Sequence, residues 1–162
     1  MFGPGAILDS FQSSGAAPKL LRGAITYAAG STGAIGTTTL FTVTGDVLVT
    51  MLAAKCTTDL TSAGAPGLEI GVVGNTSLFA GSLVDPTGWD SGEWADGNSG
   101  VYVAGGGEPL FESSENNYPI SANIIQTIAS ATITGGVVRW YLQYVPLSGD
   151  GLVTLHANLT AF

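Results

Sequence analysis

From about residue 21 onward, apolar positions recur at every second residue, the repeat of a strand with one buried face. Arg22 to Ala29 sets Ile25 and Tyr27 on one side. Thr37 to Thr44 and Val47 to Ala53 flank Gly45-Asp46, a pair suited to a two-residue primed turn, and so predict a hairpin. Leu68, Ile70 and Val72 alternate with Glu69 and Gly71, and Leu78 to Val84 predicts another short strand. Between Asp85 and Glu108 only Val101-Tyr102-Val103 is strand-like. Ile120 to Ile128 is apolar without clean alternation and is the one place where the pattern allows a helical turn. Thr127 to Thr134 and Val137 to Val145, joined by Gly135-Gly136, predict the strongest hairpin, and Leu152 to Leu159 a last strand. Gly or Pro interrupts the pattern about every ten residues, which predicts an all-β antiparallel β-sandwich, jelly-roll-like, as a single domain over residues 21–162.

The two predicted hairpins differ. In the second, Ala129, Ala131, Ile133, Val138, Trp140, Leu142 and Tyr144 share a face, opposite Ser130, Thr132, Thr134, Arg139, Tyr141 and Gln143. One side is core and the other is wet. In the first, one face carries Phe41, Val43, Leu48 and Leu52 and the other Leu40, Val47, Val49 and Met51. A strand pair apolar on both sides must be covered twice, by another sheet of the same chain or by a neighbouring subunit. Leu40, Val47, Val49 and Met51 are therefore candidate subunit-contact residues. Residues 1–20 mix Gly, Ser and Pro with Phe2, Ile7, Leu8 and Phe11 at no regular period. They predict an extended N-terminal arm, disordered or laid on a partner.

Composition narrows the function. Charged residues are only 10% of the chain, against about 25% in an average soluble protein. Apolar residues are 45%, enough to build a core and to argue against disorder. Twelve acidic against four basic residues give a net charge of −8, which repels nucleic acid and anionic lipid, so neither is an expected partner. The longest apolar run, Val47 to Ala54, is far short of the ~18 residues of a membrane span. Gly3, Pro4 and Gly5 break up the N-terminal apolar residues, and no cleaved signal is expected.

Candidate chemistry is sparse. A catalytic triad needs a base, and the single histidine, His156, alternates with Val153, Leu155 and Ala157 toward a polar face. Zinc needs three or four His or Cys ligands, and the chain has two such residues, His156 and Cys56. The glycine-rich stretches 30–36 and 105–107 lack the Gly-Lys-Ser/Thr of a phosphate loop. No catalytic residue, cofactor or metal is expected. The stretch from Asp85 to Glu115 holds seven of the twelve carboxylates and no Lys or Arg. Three readings of it stay open. Its carboxylates could hold Ca²⁺, although their order does not match an EF-hand. Trp89, Asp90, Glu93 and Trp94 could stack on and hydrogen-bond a sugar ring, as in a carbohydrate-recognising tail or adhesin module. Or the loop is solvated, with Trp89 and Trp94 folded back as a lid over the sandwich.

The stretch Thr39-Leu40-Phe41-Thr42-Val43-Thr44-Gly45-Asp46-Val47-Leu48-Val49, with Cys56-Thr57-Thr58-Asp59-Leu60-Thr61, resembles small virion proteins of tailed bacteriophages. So does Gly135-Gly136-Val137-Val138-Arg139-Trp140-Tyr141, running into Pro146-Leu147-Ser148 and Asp150-Gly151. Such segments belong to β-rich capsid decoration (cement) proteins and other head and tail components. The resemblance spans roughly residues 21–99 and 127–157 and rests on strand patterns rather than catalytic signatures. It implies a non-enzymatic structural protein on the outer surface of a capsid, assembled in the host cytoplasm. The implied partners are the major capsid protein or another shell protein, and further copies of the chain itself, as a trimer. Phe2, Ile7, Leu8 and Phe11 would then be shell contacts of an anchoring arm.

Overall fold

The structure, a computed structural model, describes residues 17–84, 86–95, 102–104 and 117–162. Phe2, Ile7, Leu8 and Phe11 lie outside the described residues. Among the described residues, twelve strands form two antiparallel sheets that sandwich one core. The strands are β1 (Lys19–Thr26), β2 (Gly36–Thr44), β3 (Val47–Ser62), β4 (Gly67–Val72), β5 (Asn75–Val84), β6 (Glu93–Ala95), β7 (Tyr102–Ala104), β8 (Tyr118–Ile120), β9 (Ile124–Ala129), β10 (Ile133–Pro146), β11 (Leu152–Leu155) and β12 (Thr160–Ala161). The larger sheet runs β12-β1-β10-β3-β6-β7, with β8 also on β3, and the smaller runs β11-β2-β9-β4-β5. The sandwich class expected from the pattern is therefore present. The segment Ile120 to Ile128, which allowed a helical turn, instead contributes to β8 and β9, and the described helical element is a 3₁₀ turn at Pro86–Gly88.

Both predicted hairpins are corrected. β2 pairs with β9 and β11, while β3 pairs with β10, so Gly45-Asp46 is a corner between sheets and not a turn within one. Gly135 and Gly136 lie inside β10, which runs unbroken from Ile133 to Pro146 with register shifts on either side of Gly135. What the pairings build instead is one antiparallel ribbon through both sheets. Phe41 to Thr44 opposes Leu155 to Leu152 in the smaller sheet, and Val47 to Ser62 opposes Pro146 to Ile133 in the larger. Gly67 to Val72 then opposes Ala129 to Ile124 back in the smaller sheet. Glycine and small polar residues serve a corner or a bulge as readily as a turn, because all three need unusual backbone angles.

Each corner is tied across the ribbon. At the first, Gly45 has φ 63°, and a Cβ there would run into the Asp150 carboxylate and Ser148 hydroxyl. Asp46 N–H donates to Ser148 Oγ (2.8 Å), Ser148 Oγ donates to Asp150 Oδ1 (2.7 Å), and Leu147 N–H donates to the Asp46 carbonyl (2.9 Å). At the second, Ser62 Oγ donates to the Thr132 carbonyl (2.7 Å), beside Ser130, whose φ is 68°.

Bulges set which side chains enter the core. Val47 and Val49 point inward, and a register shift between Gln143 and Tyr144 leaves Thr50 as an extra residue on β3. The inward set downstream is then Leu52, Ala54 and Cys56. In β10 the inward set Val138, Trp140, Leu142 and Tyr144 alternates with Arg139, Tyr141 and Gln143, as the sequence pattern predicted. Among the described residues the buried Trp140 Nε1 has no hydrogen-bond partner, a cost that the packing of its indole must offset. On β9, Gln126 faces inward between Ile124 and Ile128. Its amide is satisfied there: the Tyr27 hydroxyl donates to Oε1 (2.8 Å), and Nε2 donates to the Thr32 carbonyl (3.1 Å). That polar residue on a core face is what erased the alternation of the segment.

The loop after β1 is locked to β10, since Ile133 N–H donates to the Gly33 carbonyl (2.9 Å) and a Cβ on Gly33 would overlap the Ile133 carbonyl oxygen. Gly30, in the same loop, has open space around it. Gly33→Ala should cost about 2 kcal/mol or more, whereas Gly30→Ala should stay within about 0.5 kcal/mol of wild type, in urea unfolding followed by circular dichroism.

Candidate functional site

Leu40, Val47 and Val49, expected at a subunit contact, are fully buried within the chain itself. Their strands lie in opposite sheets, and each sheet covers the other. The two-faced apolar hairpin that called for a second cover does not exist. Met51, by contrast, lies opposite Gln143 on the outward side of the larger sheet and is half-buried.

The described start of the acid-rich stretch is held by its own polar groups and by those of β3. Trp89 is 0% exposed and packs in the core, against the expectation of a sugar-stacking ring at this position. Its Nε1 donates to the Glu93 carbonyl (3.0 Å). The Glu93 carboxylate accepts from Asp90 N–H (3.0 Å), and that of Asp59 accepts from Ser91 N–H (2.7 Å). Ser91 Oγ and Gly92 N–H donate to the Thr57 and Cys56 carbonyls (2.9 Å each). The Glu93 carboxylate, a candidate ligand contact from the sequence, is thus engaged in fixing backbone, as is that of Asp59 on β3. Among the described residues, no group of three or more His, Cys, Asp or Glu could hold a metal ion. His156 is half-buried at the end of β11, where its N–H donates to the Leu40 carbonyl (3.0 Å) and its Nδ1 accepts from Asn158 N–H (3.3 Å).

Cys56 is a buried free thiol that donates to the Thr58 carbonyl (3.1 Å). Burial pushes it up to about 11, and the nearby carboxylates of Asp59, Asp90 and Glu93 push the same way. A thiol with so little thiolate at neutral pH is a poor nucleophile.

The most distinctive surface is the outward face of the larger sheet. Ala24 pairs with Arg139, Arg139 with Lys55 and Lys55 with Trp94, so these side chains share one face across β1, β10, β3 and β6. Arg22 and Tyr141 are opposed one step along, and Leu20 and Gln143 beyond them. The face therefore gathers Arg22, Lys55 and Arg139, three of the four basic residues of the chain. Aromatic rings run between them. Trp94 and Tyr141 lie 5.4 Å apart, and the C-terminal Phe162 meets Tyr141 edge-on at 5.6 Å. Lys55 Nζ sits 5.3 Å from the Trp94 ring centre, and the Arg139 guanidinium 4.6 Å from that of Phe162. Alternation along β10 placed Arg139, Tyr141 and Gln143 on a wet face, but Lys55, Trp94 and Phe162 join them only through strand pairing.

No family model matches the sequence, and no curated protein sequence matches it. The fold is similar to that of a chain in the acidic stable capsid structure of Helicobacter pylori bacteriophage KHP30. The similarity covers 86% of this chain and 94% of that one, at a TM-score of 0.51 and 10% sequence identity.

Trp89→Ala should cost about 3–5 kcal/mol by opening the core, and Trp94→Ala about 1 kcal/mol or less. Retained glycan-array binding by a folded Trp89→Ala chain would argue for a sugar site that does not use this ring. Cys56 should react with a disulfide reagent at pH 8 only as fast as the fold opens, and promptly in denaturant. Because the folded thiol holds its proton to higher pH than the unfolded one, its contribution to stability is full below about pH 8.5 and declines as pH rises toward 11. Cys56→Ala should flatten that alkaline decline in pH-dependent urea titrations.

Proposed function

We propose that the chain is a non-enzymatic structural component of a bacteriophage virion that decorates and stabilises the outer surface of a capsid shell. The observation that carries this reading is the extent of the fold similarity, which takes in nearly all of both chains. A single shared subdomain would support much less, because two-sheet sandwiches host many unrelated functions. The strand-pattern resemblance to phage head and tail proteins points the same way.

In this reading the partners are the major capsid protein or another shell protein, together with other copies of the chain as a trimer. The arm preceding β1 brings Phe2, Ile7, Leu8 and Phe11 to the shell. Each such side chain buried against a partner stabilises by roughly 1.5–3 kcal/mol before the cost of ordering the arm. β1 supports an anchor at that position, because Lys19 and Leu20 already belong to the sheet and pair with Tyr144 and Gln143.

The test is mass spectrometry and cryo-electron microscopy of purified particles of the phage that encodes the chain. The chain is expected in stoichiometric copies on the shell, and its absence from particles overturns the reading. Deletion of residues 1–16, which spares β1, should abolish rebinding to particles stripped of the protein while leaving the far-UV spectrum unchanged.

A further inference from the structure

We propose that the end of the sandwich at the Gly45-Asp46 corner docks onto the shell protein of the particle, against an apolar patch with cations beside it. The inference rests on the reading of the chain as a shell component and names the surface that makes the contact. Strand registers bring this end together from both sheets. Leu147 follows the last residue of β10, and Leu152 opens β11 opposite Thr44, so the two flank the Ser148–Gly151 turn beside the corner. On the other side of β2, Val43 N–H donates to Asn123 Oδ1 (2.9 Å), and Val73 N–H donates to the Asn123 carbonyl (3.1 Å). Leu147, Leu152 and Val73 are 54%, 44% and 60% exposed, three of the six most exposed large apolar side chains among the described residues.

Apolar groups clustered in solvent are unfavourable there, and a partner that covers them recovers that free energy. These three are displayed on fixed backbone. Leu147 N–H donates to the Asp46 carbonyl (2.9 Å), Gly151 N–H closes its turn on the Ser148 carbonyl (3.0 Å), and Leu152 is paired in the smaller sheet. A patch already ordered in this way loses little conformational entropy on binding. The course of the chain favours the shell as occupant. Residues 1–16 join β1 at this same end, where Lys19 pairs with Tyr144 two residues before Pro146. An anchor that leaves from here and the end itself can therefore engage one partner together. Charge sets the chemistry of that partner. Asp46 and Asp150 are exposed beside the apolar residues, with Lys19 as the one described cation at this end. A two-fold contact between copies would set those carboxylates against themselves, which disfavours a second copy here.

The test measures rebinding of the full chain to particles, of the phage that encodes it, stripped of the protein. Wild type should bind. Leu147→Asp/Leu152→Asp should bind at least about a hundredfold more weakly, and Val73→Asp about tenfold more weakly. Ile35→Asp should bind as wild type does, because Ile35 is as exposed but lies at the opposite end, beside Gly36, which pairs with Ile128. Should the double variant misfold by circular dichroism, Leu147→Ser serves in its place, with a loss of about tenfold expected. Normal binding by the Leu147, Leu152 and Val73 variants overturns this surface and leaves the shell reading standing. An equal loss in Ile35→Asp overturns it as well, since the effect is then not local to the corner. Variants that bind normally yet sediment as a smaller species than wild type assign the end to a second copy and overturn the shell as occupant. Failure of wild type to bind overturns the shell reading, and this inference with it.

Discussion

The antiparallel ribbon formed by residues 41–72 against 124–155 is the constraint on which the rest of the structure depends. It passes from the smaller sheet to the larger and back, so each corner carries two chain crossings side by side. Backbone groups that leave one sheet before entering the next must find other partners, since a buried unpaired amide or carbonyl is costly. The Asp46–Ser148–Asp150 cluster meets that need at one corner, and the Ser62 bond to Thr132 contributes at the other. The segments outside the ribbon add to what it provides: β1 and β6 to the flanks of the larger sheet, β5 to an edge of the smaller.

Local alternation was legible wherever one face is buried and the other is wet. β10 shows this most clearly, with Val138, Trp140, Leu142 and Tyr144 inward and Arg139 outward. Pairing was not legible, because Gly45-Asp46 and Gly135-Gly136 have the chemistry of hairpin turns while serving as a corner and a bulge. Nothing local to those dipeptides distinguishes the roles; the difference lies in which distant strand each flank meets. The same gap hid the basic and aromatic face. Lys55 and Arg139 are 84 positions apart in the sequence and become neighbours only through the β3–β10 register. Trp89 and Trp94 looked alike as residues, yet one flank of the loop carries its indole into the core and the other lays it over a lysine.

Among the described residues, carboxylates and cations take different kinds of partner. Described carboxylates such as Asp59, Glu93 and Asp150 serve nearby N–H and O–H donors, where an acceptor with two oxygens can hold a loop. Three of the four cations instead lie over aromatic rings: Lys19 5.9 Å from the Tyr144 ring centre, Lys55 by Trp94 and Arg139 by Phe162. A ring face attracts a cation through its quadrupole, without the proton-accepting oxygens of a carboxylate.

The pairing order also governs how the protein can be made. β1 has β10 and β12 as its neighbours, and β2 has β9 and β11, so neither has a strand partner before residue 124 leaves the ribosome. Until then the first two strands, and the β10-facing edge of β3, travel with their hydrogen-bonding edges open. Closing such distant pairs is entropically slow, and exposed edges in the interim invite pairing between neighbouring nascent chains. A chain truncated before β9 therefore lacks every strand partner of β1 and β2 and keeps only the pairings of β4 with β5, of β3 with β6 and β8, and of β6 with β7.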